Sequence, residues 1–150
     1  MVVAAPDRLA EAARLLDQTP NARAIAGGAT RALSVQAGLS ALTAAAETAV
    51  LIHDAARPFV NRPHVEALLA ALTSADGAVP ALPVADTLKR GAGAIEATVS
   101  RDGLWRAQTP QAFRLATLRA AYASWPADAE PTDDAAVVER AGGRVVMPAG

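Results

Sequence analysis

Cysteine is absent from the chain, which excludes disulfides and thiolate metal centres and fits a reducing compartment. Aromatic residues are scarce, with two tryptophans, one tyrosine and two phenylalanines, so there is little on which nucleobases can stack. A net charge of -1 gives no basic field for a nucleic-acid backbone, and nucleic acid is therefore not expected as a partner. No apolar run approaches the roughly 20 residues that cross a bilayer. No charged segment leads into an apolar one as in a secretion signal. The expectation is a cytoplasmic chain with no membrane partner.

What is present suffices for one core. Of the 150 residues 52% are hydrophobic, which suits a single domain over residues 1–150. Strand and helix patterns alternate, which predicts an α/β fold with a mostly parallel sheet covered on its faces. Met1 to Ala5 reads as the end of a buried strand. Pro6 and Asp7 then open a helix with Leu9, Ala12, Ala13 and Leu16 on one face. Ala22 to Ala26 reads as a strand running into Gly27-Gly28, followed by a helix with Val35, Leu39 and Leu42 in line. Ala49 to His53 is a compact apolar strand.

Pro63 begins a helix whose stripe is Val65, Leu68, Leu69 and Leu72. Gly77 to Val84 forms a strand only if Pro80 and Pro83 lie at an edge or an end. Asp86 to Arg101, turning around Gly91-Ala92-Gly93, predicts a hairpin standing away from the core. Thr109 before Pro110 reads as an N-cap, with Leu115, Leu118 and Tyr122 on the buried side of the helix that follows. Thr132 reads as the cap of another helix, with Asp133 and Asp134 against its positive end. Gly142-Gly143 closes that helix, and Arg144 to Met147 is a last strand.

Ligands of open α/β sheets sit beyond the carboxyl ends of the strands, which directs attention to His53-Asp54. Asp54 can hold a divalent cation and Arg57 a phosphate oxygen, while Ala55 and Ala56 are small enough to let a ligand approach the backbone. An Asp–Arg turn clamp closed by Pro58 explains the same residues, and spacing alone does not choose between the two. His53 reads as support for the strand end. The turn from Gly27 to Arg31, with Ser34 one helical turn on, can offer backbone N–H groups to an anion or a base edge, or can be a tight turn with a capping hydroxyl. Asp86, Thr87, Lys89, Arg90 and Arg101 place several polar and cationic groups on the expected hairpin, where ordinary surface charge is the default.

Four blocks carry a resemblance: HDAARPFV from His53, LPVADTLKR from Leu82, RDGLWRAQTPQAF from Arg101 and PTDDAAVVERAGG from Pro131. In order and spacing they are similar to the 2-C-methyl-D-erythritol 4-phosphate cytidylyltransferase family, and GGATRALSVQAGL from Gly27 resembles a further block of it. Ala29 and Leu33 stand where relatives often carry polar residues.

The resemblance implies a Rossmann-like sheet with helices on both faces and a protruding β-arm, of the nucleotide-diphospho-sugar transferase type. It also implies a homodimer that joins CTP to methylerythritol phosphate with Mg²⁺. Asp54 resembles the metal- and substrate-contacting aspartate, with Arg57 beside it, and Gly28, Ser34, Asp54 and Ala55 fall at CTP-contacting positions. Thr87 and Arg101, on an arm spanning 85–103, resemble residues lent to a partner subunit's site, where Arg101 would place the substrate phosphate. Thr109 and Thr132 resemble substrate-side hydroxyls.

The family pattern also implies a glycine-rich CTP loop ahead of Met1 and a lysine-bearing segment beyond Gly150. On that expectation the 150 residues form one nucleotidyltransferase domain that is incomplete at both ends and inactive alone. A ribitol-phosphate enzyme of the same fold, a non-catalytic dimerisation or regulatory module, and fusion to a downstream pathway enzyme all stay open at the level of sequence.

Overall fold

The structure, a computed structural model, describes residues 1–148; the last two residues of the expected 1–150 domain lie outside the described residues. Its centre is a four-stranded sheet in the order β10 (Val145–Val146), β4 (Gly77–Ala78), β9 (Gln111–Arg114) and β3 (Ala49–Ile52). β10 and β4 run parallel, while β9 runs antiparallel to both β4 and β3. The expected mostly parallel sheet is therefore a mixed one at its centre. A separate parallel pair, β1 (Val2–Ala4) with β2 (Ala24–Ala26), lies against α1 (Leu9–Leu16) and α2 (Arg31–Ala41).

Alternation along β9 builds the two-sided core, because successive strand residues point to opposite faces. Phe113 enters a cluster with Val35 and Leu39 of α2, Leu115, Leu118 and Tyr122 of α4 (Leu115–Ala123), and Val137 and Val138 of α5 (Asp134–Arg140). Ala112 faces the other way, onto Leu68 and Leu72 from α3 (Arg62–Ala71) and its C-cap. Gly77 lies directly opposite Phe113, and a Cβ there would sit 2.6 Å from the Phe113 ring. Helices cover both faces, as the sequence predicts.

Several expectations need correction. Thr109 and Pro110 do not start a helix: the Thr109–Pro110 peptide is cis, β9 begins at Gln111, and α4 starts only at Leu115. Proline fits the entry to a strand as well as the first turn of a helix, and pairing with β3 and β4 on both sides decides for the strand. The cap of α5 is Asp133, whose side chain accepts from the Ala136 N–H, one residue after the expected Thr132. β1 is not buried; Met1 and Val2 are exposed. On α1 only Leu9, Ala12 and Leu16 are half-buried, Ala13 is exposed, and Leu69 of the α3 stripe faces solvent.

The stretch from Gly77 to Val84 breaks at Pro80 into β4 and β5 (Ala81–Pro83). β5 pairs with β8 (Trp105–Ala107), so both prolines sit outside the central sheet's ladder, as required. The expected hairpin is present as β6 (Leu88–Arg90) against β7 (Ala97–Val99), with Leu88 opposite Val99 and no buried residue. α5 gives way to Gly142 at φ 86°, a left-handed backbone that glycine adopts without strain.

Candidate active site

Antiparallel pairing of β3 with β9 sets Ile52 opposite Gln111, so the residues after β3 lie against those before β9. The Asp54 N–H donates to Thr109 Oγ1 at 3.1 Å, and that hydroxyl lies 3.0 Å from His53 Nδ1. His53 Nε2 is 2.7 Å from the Arg57 carbonyl. A carbonyl only accepts, so Nε2 carries the proton; in the neutral ring Nδ1 then accepts from Thr109. The Arg57 N–H closes the loop on the Asp54 carbonyl at 3.0 Å. His53 is thus the brace of the 53–57 turn, as the sequence predicts.

The turn presents Asp54 to a pocket of about 350 Å³ lined by Arg31, Asp54, Arg57, Gln108, Thr132 and Asp133 among others. Asp54 keeps 38% of its side chain exposed, with Arg31 Nε at 3.5 Å on one oxygen and Arg57 Nε at 3.7 Å on the other. Neither contact is a tight hydrogen bond. Arg57 also donates to Gln108 Oε1 at 2.5 Å. Behind Arg31 lies Asp134, fully buried, which accepts from Arg31 Nη2 at 2.6 Å and from the Tyr122 hydroxyl at 2.6 Å. Burial pulls the Arg31 pKa down, but the hydrogen bond and charge of Asp134, and then Asp54, carry it above its ordinary value. Burial first, and then Asp134, push the Tyr122 phenol above its ordinary value, so it stays a donor.

The far wall is made by the start of α5. Gln111 is fully buried, donates from Nε2 to Asp133 Oδ2 at 2.9 Å and accepts from the Ala135 N–H at 3.1 Å. It ties the central strand to the helix that carries Thr132 and Asp133. Two guanidiniums, Arg31 and Arg57, therefore stand among three carboxylates, Asp54, Asp133 and Asp134.

Of the residues expected from the sequence, Asp54, Arg57, Thr109 and Thr132 come together in this pocket. Gly28 and Ser34 meet in the neighbouring turn, where the Gly28 N–H donates to Ser34 Oγ at 3.1 Å and Thr30 caps α2. A Cβ on Gly28 would lie 2.4 Å from Leu33 Cβ. Gly28→Ala is therefore expected to cost about 1–3 kcal/mol, checked by thermal melting; an unchanged midpoint would contradict the packing described. Ala55 is exposed in the turn after Asp54.

Thr87 and Arg101 are exposed near the base of the arm and do not line the pocket of their own chain; Arg101 Nη1 donates to the Ala85 carbonyl. Gln111 and Asp133 carry no sequence signal as parts of the pocket, and Asp133 and Asp134 read in sequence only as charges against the helix dipole. Arg31 carries only its place as the first residue of a helix after a Gly-Gly turn.

Among the described residues no group of three or more His, Asp or Glu side chains could cage a metal ion. The donor set fits a Mg²⁺ held by one carboxylate, Asp54, together with phosphate oxygens and water. No described helix is long and apolar enough to cross a membrane.

The family model described as IspD: 2-C-methyl-D-erythritol 4-phosphate cytidylyltransferase matches residues 1–150. A bifunctional enzyme IspD/IspF of Caulobacter vibrioides is 59% identical over 153 residues, covering 100% of this chain and 40% of that protein. The bifunctional enzyme IspD/IspF of Rhodospirillum rubrum is 54% identical over 125 residues, covering 83% of this chain and 32% of that protein. The chain thus spans 40% or less of the length of these two curated relatives.

Among solved structures, a 4-diphosphocytidyl-2C-methyl-D-erythritol synthase superposes with a TM-score of 0.86 at 39% identity, covering 99% of this chain and 71% of that one. The 2-C-methyl-D-erythritol 4-phosphate cytidylyltransferase of Thermus thermophilus gives a TM-score of 0.79 at 41% identity, covering 89% and 65%. The α/β fold expected from the sequence is the fold of these proteins. The chain belongs to the 2-C-methyl-D-erythritol 4-phosphate cytidylyltransferase family.

Proposed function

We propose that the pocket at Asp54 is the cytidylyl-transfer site of an enzyme joining CTP to 2-C-methyl-D-erythritol 4-phosphate. The products are 4-diphosphocytidyl-2-C-methyl-D-erythritol and pyrophosphate, and the setting is cytoplasmic isoprenoid precursor synthesis by the non-mevalonate route. The observation that carries the reading is the convergence of Asp54 and Arg57 with Thr109 and Thr132 in one open pocket, in a chain matched by the family over its whole length.

The reaction is a displacement at phosphorus. A phosphate oxygen of the sugar alcohol forms a bond to the α-phosphorus of CTP, and the bond from that phosphorus to the bridging oxygen breaks. Pyrophosphate leaves with the electron pair, and no protein nucleophile takes part. Two anions must be held in line while charge spreads over the transferring group. With two guanidiniums among three carboxylates, the described pocket has no surplus of positive charge for a triphosphate. That balance favours a divalent cation at Asp54; when bound, Mg²⁺ supplies the charge neutralisation that lets the two phosphates approach.

Arg57 takes a phosphate oxygen. Thr109 fixes the Asp54 backbone, and Thr132, whose hydroxyl has no hydrogen-bond partner among the described residues, offers it to the substrate side. Gly28 and Ser34 receive the cytosine in the adjoining turn, and the small Ala55 leaves the backbone open to the nucleotide.

The 85–103 arm pairs two copies of the chain, so that Thr87 and Arg101 of each serve the pocket of the other. The exposure of both residues, away from their own pocket, supports this arrangement. Co-expression of Arg101→Ala with Asp54→Asn subunits is then expected to restore part of the activity that each variant lacks alone, because mixed dimers regain one intact site. A mixture as inactive as its parents contradicts the exchange. The identity to bifunctional relatives supports a gene that also encodes the second enzyme, which the flanking DNA will reveal.

The function is tested by offering CTP with methylerythritol phosphate or with ribitol phosphate to the chain together with the flanking sequence its gene encodes. Pyrophosphate release with the first and little with the second is expected; equal release or a preference for ribitol phosphate overturns the substrate assignment.

A further inference from the structure

Arg31 opens α2 and reaches the pocket from the side opposite Arg57, with Asp54 between them. Its guanidinium carries five N–H donors in a fixed plane. Nη2 is anchored on Asp134 at 2.6 Å, and Nε faces Asp54 at 3.5 Å, too long for a strong hydrogen bond. Among the described residues Nη1 donates to no protein acceptor. The edge formed by Nε and Nη2 is thus shared between a firm contact to Asp134 and a loose one to Asp54.

The anchor is built from three helices. Asp134 begins α5 and has no solvent exposure, yet both its oxygens are used, one by Arg31 and one by the Tyr122 hydroxyl from α4. A buried ion pair is a poor source of net stability, since well-packed apolar residues of similar size do as well or better. What such a pair provides here is direction. A carboxylate locked by a phenol and a helix start holds an arginine fork to one orientation, as preorganised phosphate recognition requires.

We propose that Arg31 is a phosphate-binding residue of this pocket and that Asp134 and Tyr122 are the positioning residues that hold it; this rests on the nucleotidyl-transfer reading above. When a cation takes Asp54, the loose contact from Arg31 Nε is released while the bond to Asp134 remains. The freed Nε donor and, on the opposite flank of the guanidinium, the Nη1 donors are then each open to a different oxygen of the bound phosphate chain. Lysine keeps the charge at this position but cannot span Asp134 and a ligand with one rigid plane.

The test is calorimetric titration, with Mg²⁺ present, of CTP and of inorganic pyrophosphate into the chain with its gene-encoded flanks, alongside thermal melting and kinetics. Arg31→Lys is expected to weaken binding of both by about tenfold or more while the melting midpoint stays near wild type. Tyr122→Phe keeps the ring in the core and removes only the phenolic donor. It is expected to lower the midpoint and to weaken binding several-fold, with KM rising more than kcat falls.

Unchanged affinity in Arg31→Lys overturns the phosphate contact. A lower midpoint with unchanged affinity in Tyr122→Phe reduces the anchor to fold support and overturns the positioning role. Wild-type protein that binds neither ligand overturns the nucleotidyl-transfer reading, and this proposal with it. Those outcomes are distinct.

Discussion

Asp54→Asn is expected to lower kcat/KM for cytidylyl transfer by on the order of 10²–10³-fold, the size of effect seen when one preorganised electrostatic contact to a transition state is removed. The amide keeps the shape of the side chain, and the contacts that hold the turn are made by the Asp54 backbone with Thr109 and Arg57 rather than by its carboxylate. Folding should therefore be nearly untouched, since Asp54 is partly exposed and its ion pairs are loose. What is lost is the one pocket carboxylate set between both arginines and suited to a divalent cation. The check is steady-state kinetics beside a melting curve, over a series of Mg²⁺ concentrations. A variant with wild-type turnover would remove Asp54 from the mechanism; one that fails to fold would show that the turn depends on its charge.

The second large effect is on stability. Phe113 is fully buried at the middle of β9, opposite Val50 on one side and Gly77 on the other. Its ring joins the cluster made by α2, α4 and α5, and the missing side chain of Gly77 leaves the space it fills. Phe113→Ala is expected to cost about 3–5 kcal/mol through lost apolar burial and the cavity left behind. That is a large share of the roughly 5–15 kcal/mol that keeps a domain folded. Each kcal/mol is worth about 2–4 °C at this chain length, so calorimetry should show a fall of roughly 10 °C. A shift of a degree or two would mean that the sheet is not packed as described.

Much of this was legible because the decisive features are local. LIHDAARPFV reads as a strand that ends abruptly in polar residues, and β3 ends at Ile52 with Asp54 in the pocket. Gly91-Ala92-Gly93 between short polar strands reads as a hairpin tip, and β6 and β7 pair around it. Pro110 is ambiguous in sequence because a proline looks the same locally before a strand as at the start of a helix. The choice is made by β3 and β4, which are distant in sequence. The Arg31–Asp134 contact joins residues 103 positions apart, and no periodicity announces it. The cap of α5 falls on Asp133 rather than on the neighbouring Thr132; a carboxylate and a hydroxyl cap the same N–H groups, and local sequence does not choose between them. The arm residues Thr87 and Arg101 lie exposed, away from their own chain's pocket, and the proposed role for them in a second copy's pocket is something one chain's folding pattern does not encode.

The central property of the proposed Asp54 pocket is that it joins two phosphates. The most direct measurement is a phosphorus NMR time course of CTP, methylerythritol phosphate and Mg²⁺ with the chain and its gene-encoded flanks. The sugar phosphate and CTP signals are expected to fall together while a pair of coupled diphosphate resonances and free pyrophosphate rise in equal amounts, and Asp54→Asn is expected nearly to abolish the change. A folded wild-type protein whose spectrum shows CTP unchanged, or only hydrolysed to nucleotide and phosphate without the coupled pair, would contradict the proposed transfer.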